Sequence, residues 1–239
     1  MANILILGAG TMGTAFSFPC SDNNHSVSIV GTHLENDFID QVNTSKKHPA
    51  LGCEIPKNVK FSKFQKFKEE ADKKIDLIVV AVISKGIDWA SDEISKVIKN
   101  NVPILILTKG LSINNNNFEV LAHKMERLLK KNGVKEINIS AAGGPCLAKN
   151  LANKAHTAVV FANKDIKIAE KISKLVSTDY YHVSTSDDVV GVEACAAIKN
   201  IFSMAVGASQ GLCDAKQSKE KNYLNTAAAL MQESIYEMI

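Results

Sequence analysis

The first thirteen residues constrain the fold more than any other stretch. An apolar run, Ile4–Leu7, leads straight into Gly8-Ala9-Gly10-Thr11-Met12-Gly13, and a helical pattern follows. Each glycine has a physical task in a strand–turn–helix unit: Gly8 makes the tight turn, Gly10 lets the backbone approach a diphosphate, and Gly13 lets the helix pack closely on the strand. A diphosphate placed there rests on N–H groups without intrahelical partners and on the positive end of the helix dipole. A second β-rich run, Ser26–Val30, completes the context that such a glycine loop needs. The chain is therefore read as opening with a Rossmann-type dinucleotide-binding unit, with NAD or NADP as its cofactor.

The same alternation continues. Leu77–Val82, Ile104–Leu107 and Ile137–Ser140 are short runs rich in Leu or β-branched residues, and Ala158–Phe161 and His182–Ser184 read as two further strands. Between them lie stretches with helical spacing, such as Phe118–Lys131, whose Leu121, Met125, Leu128 and Leu129 recur at intervals of three and four. Such alternation predicts an α/β fold, a doubly wound and mainly parallel sheet covered on both faces. Asn114–Asn117 reads as a surface turn. From Asp188 onward the pattern is helical only: one long helix to about Leu212, a Lys-rich loop over Cys213–Lys221, and a last helix from about Asn222. The expected boundary divides a nucleotide-binding domain, 1–187, from the start of an all-α substrate domain, 188–239. The last helix pattern has no cap, Gly or Pro to stop it, which reads as a truncated end. Its apolar face would need a partner, so a homodimer is expected.

Bulk properties narrow the function. At 239 residues and 46% hydrophobic, the chain has ample material for a core. A net charge of +3 gives no reason to invoke nucleic acid and suits a phosphorylated substrate. The five cysteines are odd in number and lack CxxC spacing, which speaks against a metal site or a disulfide framework and fits a reducing cytoplasm. The N-terminus carries no signal-peptide pattern. Val189–Leu212 is apolar, but Glu193, Lys199 and Asn200 near its middle make a buried core helix a better reading than a membrane span.

Several positions carry candidate chemistry. The second strand ends in Val30-Gly31-Thr32-His33, with no Asp or Glu for a ribose 2′-hydroxyl; Glu35 falls on the next helix pattern. Thr32 or His33 is expected to meet the adenosine ribose or a 2′-phosphate, and the missing carboxylate inclines the reading to NADP while leaving NAD open. Lys109, in Thr108-Lys109-Gly110, follows an apolar strand and so sits where an open parallel sheet binds its ligand. Lys199 shares a helix row with Val192, Cys195, Ser203 and Val206. A lysine on such a stripe must snorkel or be buried by a ligand, and burial would make it a usable acid/base. Asn200 beside it is placed to orient a substrate hydroxyl. Gly143-Gly144-Pro145-Cys146 ends a strand and is expected to begin a helix at Cys146, with Cys146 giving room to a substrate rather than acting as a nucleophile.

These pieces, in this order, resemble the bacterial and archaeal NAD(P)-dependent glycerol-3-phosphate dehydrogenases. The matching stretches are Gly8 through Ala15, His48-Pro49-Ala50-Leu51-Gly52, Lys109-Gly110, Gly144-Pro145-Cys146-Leu147-Ala148, and Val192-Glu193 through Ala197-Ile198-Lys199-Asn200. The resemblance implies interconversion of dihydroxyacetone phosphate and sn-glycerol 3-phosphate, a place in glycerophospholipid metabolism, and Lys199 as the proton donor and acceptor. It further implies that Lys109 contacts substrate and cofactor, that Gly144 and Cys146 contact substrate, and that Thr11, Met12, Thr32 and Ala148 contact cofactor. Position 146 is often Ser or Thr in the family, and Cys is a weaker hydrogen-bond partner. The family also continues past this chain's last residue, through a stretch whose Asp, Ser or Thr, and Arg-Asn pair bind the glycerol phosphate. A related dehydrogenase acting on another small oxo-acid or oxo-phosphate, and a non-catalytic NAD(P)-binding protein, are the alternative readings.

Overall fold

A computed structural model of the chain describes residues 1–98, 101–215 and 224–238. The chain divides into two compact units, Met1–Glu193 and Ala194–Ile239. In the first, strands β1 (Asn3–Leu7), β2 (Ser26–Val30), β3 (Val59–Ser62), β4 (Leu77–Val80), β5 (Ile104–Ile106), β8 (Ile139–Gly143), β9 (Thr157–Ala162) and β10 (Tyr181–Ser186) form one sheet in the order β10-β9-β8-β5-β4-β1-β2-β3. All neighbours are parallel except β8 and β9. Helices α1 (Thr11–Asp22), α2 (Asn36–Ser45), α3 (Phe67–Asp72), α4 (Ile87–Ser95), α5 (Leu121–Lys131), α6 (Ala148–Ala152) and α7 (Ile166–Val176) connect the strands.

Strand β1 shows why the apolar runs are continuous. Successive side chains of a strand point to opposite faces. Ile4 and Ile6 enter the core on one face, with Phe16, Phe161 and Tyr181, while Leu5 and Leu7 enter the core on the other, with Ile87, Ile94 and Met125. A strand covered on both sides has no polar alternation to display.

Three elements depart from expectation. Leu111–Asn114 (β6) and Asn117–Val120 (β7) form an antiparallel hairpin, with Leu111 opposite Val120 and Asn114 opposite Asn117. Its tip, Asn115 and Asn116, has φ of 49° and 62°. Two left-handed residues make the tight turn that hairpins favour, and asparagine tolerates that conformation. The helix predicted from Phe118 accordingly begins at Leu121. The second departure is β3, absent from the reading by sequence. The third is the helix expected at Cys146: α6 begins at Ala148 and is five residues long, so Cys146 lies in the loop before it.

The second unit holds most of α8 (Val189–Ala215) and α9 (Leu224–Tyr236); among the described residues no strand follows β10. The loop expected over Cys213–Lys221 falls largely on residues 216–223, outside the described residues, while Cys213 through Ala215 belong to α8. Val189–Leu212 is long and apolar enough to cross a membrane by length and composition. The expectation of a buried core helix is corrected here: Val189, Glu193, Ala196 and Val206 are buried, but Ile201, Met204 and Leu212 are exposed, as are Met231, Ile235 and Tyr236 of α9. Two helices by themselves cannot cover a helix that is apolar on several sides.

Candidate functional site

The glycine loop is built as its sequence requires. Gly8 has φ +109°, and a Cβ there would lie 2.6 Å from the Ala81 carbonyl oxygen. At Gly13 a Cβ would stand 2.3 Å from the Gly8 carbonyl oxygen and 3.0 Å from the Ala81 Cβ. Gly10, by contrast, faces open space, with nothing within 4 Å of the position a Cβ would take. The turn is pinned on both sides: Gly8 N donates to Val30 O at 2.8 Å, and Ala81 N donates to Leu7 O at 2.9 Å. Helix α1 starts from Gly10, which has no side chain to cap the first N–H groups. β1 lies between β2 and β4, where strand order reverses, and this is the crevice in which open α/β sheets bind ligands. Two tight glycines and one open glycine over an uncapped helix start fit a dinucleotide diphosphate. Thr11 and Met12 form the first turn of α1; Thr11 is exposed and Met12 packs against the core.

Beside the loop lies a cleft of about 440 Å³, lined by Gly8, Gly10, Thr32, Glu35, Lys85 and Trp89 among others. The ring of His33 stands edge-on to Trp89 at 5.4 Å. Glu35 corrects the expectation that no carboxylate reaches this end of β2. It is the residue before α2, and its side chain folds back, so that Oε2 accepts from Thr32 N at 2.6 Å and Ala9 N at 3.3 Å. The reading by sequence also passed over Lys85 and Trp89, although they follow β4 at the carboxyl edge, where ligand residues are expected.

His48 is buried at 2% exposure. Its Nδ1 accepts from Leu51 N at 3.3 Å, which leaves the proton of the neutral ring on Nε2, and Nε2 has no hydrogen-bond partner among the described residues. Burial lowers its pKa; its own backbone, the backbone of Ala9 and the charge of Glu35 oppose that effect more weakly. The His48-Pro49 segment is thus packed beside the glycine loop and holds a neutral imidazole there.

A second cluster forms at the ends of β5 and β8. Lys109 Nζ donates to Gly144 O at 2.8 Å, joining two of the candidate residues. Gly144 has φ +107°, and a Cβ would sit 3.1 Å from the Val159 Cα, so this backbone is fixed. Cys146 and Ala148 follow it, half-buried, and pack with Met12 against one core cluster. Lys199 and Asn200 lie in the second unit, on α8. Lys199 is half-buried and Asn200 exposed, and the Lys199 carbonyl accepts from Ser203 Oγ at 3.1 Å. Among the described residues no group of three or more His, Cys, Asp and Glu is placed to hold a metal ion.

Comparison with known proteins fits this geometry. The family model for the NAD-dependent glycerol-3-phosphate dehydrogenase N-terminus matches residues 3–169, and that for the C-terminus matches residues 188–239. The NADP(+)-dependent glycerol-3-phosphate dehydrogenase of Archaeoglobus fulgidus is 27% identical over 99% of this chain and 69% of its own length. A glycerol-3-phosphate dehydrogenase [NAD(P)+] of Streptococcus agalactiae is 31% identical over 87% of this chain and 60% of its own. Thus the chain spans 60–69% of the length of these two relatives. Among solved structures, glycerol-3-phosphate dehydrogenase from Coxiella burnetii superposes with a TM-score of 0.76 at 24% identity, covering 99% of this chain and 67% of that one. The Plasmodium falciparum enzyme does so with a TM-score of 0.79 at 20% identity, covering 100% and 65%. At these identities the superpositions speak for the fold, and the family models carry the assignment. The chain belongs to the NAD-dependent glycerol-3-phosphate dehydrogenase family.

Proposed function

We propose that the protein interconverts dihydroxyacetone phosphate and sn-glycerol 3-phosphate. The observation that carries this reading, beyond family membership, is the Lys109–Gly144 hydrogen bond, which sets a cation at the carboxyl edge of the sheet. Gly8, Gly10, Thr11, Met12, Gly13, Thr32 and Ala148 are the residues assigned to the dinucleotide, which supplies or accepts the hydride when bound. As the carbonyl carbon of the substrate gains hydride, its oxygen becomes basic. Lys199 gives that oxygen a proton and takes it back in the reverse direction, with Asn200 orienting the hydroxyl. Lys109 offsets negative charge on substrate oxygen, and Gly144 and Cys146 shape the space around it. In this reading residues 1–187 are the nucleotide-binding domain, and 188–239 begin the substrate domain. A cytoplasmic setting suits the reduced thiols of Cys20, Cys53 and Cys195. A homodimer is supported by the apolar side chains exposed on α8 and α9, and sedimentation would test it.

The test is substrate-dependent oxidation of NADH or NADPH by the purified protein. Dihydroxyacetone phosphate should be turned over, and Lys199→Ala should abolish turnover while cofactor binding persists. Activity retained in that variant removes Lys199 from its role. Preference for a non-phosphorylated oxo-acid would replace the substrate assignment.

A further inference from the structure

We propose that His156 and His182 form a binding site for a zinc ion, held by one nitrogen of each ring and completed by water. Neither residue lines the cleft beside the glycine loop, and the proposal does not depend on the reaction assigned above.

The strand register brings the two rings together. β9 and β10 are parallel, with Thr157 opposite Tyr181 and Ala158 opposite His182. His156 comes just before β9 and two residues before Ala158, which places it on the same face as His182. That face is bare at this end of the sheet: His156, Ala158, His182 and Ser184 are exposed, while Val159 and Tyr181 enter the core on the other side. His156 Nδ1 and His182 Nε2 stand 3.1 Å apart, and the rings are nearly parallel, at 14°, with centroids 5.4 Å apart. Neither ring makes another hydrogen bond among the described residues. One ring therefore donates to the other, and no further hydrogen bond holds either in place.

Two nitrogens on one zinc ion, each about 2.0–2.1 Å from it at a tetrahedral angle, are about 3.3 Å apart. The pair is close to that spacing before any metal arrives. To take up the ion, the donor ring moves its proton to its far nitrogen, so both rings stay neutral, and each tips until the two lone pairs converge. Both side chains are exposed, so little resists the turn, and water fills the remaining positions. Imidazole suits zinc, whereas a hard cation such as Mg²⁺ takes oxygen ligands, so the site distinguishes them. Because β8 and β9 are antiparallel, the start of β9 adjoins the end of β8: Gly143 is opposite Val160, and a Cβ on Gly144 would lie 3.2 Å from the Ala158 carbonyl oxygen. The ion would clip the edge strand β10 to the strand that backs Gly144, whose carbonyl holds Lys109.

Zn²⁺ is titrated calorimetrically into the purified wild-type protein, His156→Ala and His182→Ala, with Mg²⁺ as the control ion and circular dichroism to verify folding. Thermal unfolding is followed in parallel by the fluorescence of Trp89, the single tryptophan of the chain. The wild type should bind about one equivalent of Zn²⁺ with a Kd on the order of 10 µM, as suits two protein ligands instead of the four of a structural site. Each variant should bind at least about tenfold more weakly. Zn²⁺ should raise the melting temperature of the wild type and leave that of either variant in place, and Mg²⁺ should raise none of them. No binding by the wild type at about 1 mM Zn²⁺ would overturn the proposal. So would wild-type affinity in either variant, which would place the ion on other groups, thiols included.

Discussion

Replacing Glu193 by Gln should remove one pH-dependent contribution to stability. Glu193 is 5% exposed, in the second turn of α8. Its Oε2 accepts from Ala122 N at 2.9 Å, and the N–H of Leu121 also favours the charged form, so the carboxyl group sits at the N-terminus of α5. Two effects compete there. Backbone donors and the helix dipole favour the carboxylate, while burial favours the neutral acid. Burial wins, and the pKa is pushed up from 4.5 to about 7. Because the folded value lies above the unfolded one, the contribution is fully present below about pH 4.5 and is lost as pH rises through about 7. At about 1.4 kcal/mol per pH unit, that gap amounts to about 3 kcal/mol. Gln keeps the shape and an acceptor for Ala122 N but does not titrate. Urea unfolding at a series of pH values, followed by Trp89 fluorescence in the same unit, measures both proteins. The stability of wild type relative to Glu193→Gln should fall by about 3 kcal/mol between pH 4 and pH 8. A difference that stays level, or rises with pH, would refute the reasoning and show that the α5 donors outweigh burial.

Two further substitutions probe the scaffold. Gly13→Ala places a methyl 2.3 Å from the Gly8 carbonyl, so α1 must move. Thermal melts should show a loss on the order of 1–3 kcal/mol, and NADH should no longer quench Trp89. Tyr180→Phe removes the 2.7 Å hydrogen bond from the buried Tyr180 hydroxyl to Asp22, which Lys154 also contacts at 2.8 Å. The expected cost is about 1 kcal/mol by denaturant unfolding, and an unchanged midpoint would mean that Lys154 satisfies Asp22 alone.

How much of this was legible in the sequence depended on whether a signal was local. β1 and β4 announced themselves because burial on both faces leaves uninterrupted apolar runs, and β2 did so through its β-branched Val27, Ile29 and Val30. The glycine loop was legible because its three glycines answer three steric demands within six residues. The β6–β7 hairpin was not, because four successive asparagines look like surface filler until two of them adopt left-handed φ. β3 hid for a different reason: it is an edge strand of four residues, with Lys60 exposed in its middle. Glu35 was misjudged because spacing along the chain assigns a residue to an element but not the direction in which a long side chain reaches. Lys109 and Gly144 were each suspected by position, yet their contact spans 35 residues and required knowing that β5 and β8 are neighbours. On α8 the composition indicated an apolar helix correctly and its surroundings incorrectly, since burial depends on what else is present to pack.

The hydrogen bond between Lys109 and Gly144 has a thermodynamic consequence. A solvated lysine loses up to about 2 kcal/mol of rotamer entropy when its ammonium is fixed. Here that loss falls at folding, because the Gly144 carbonyl is a rigid anchor on a backbone that only glycine adopts readily. Under the proposed function, an arriving oxyanion would find the charge already stationed, and its affinity would not be diminished by the ordering of a long side chain.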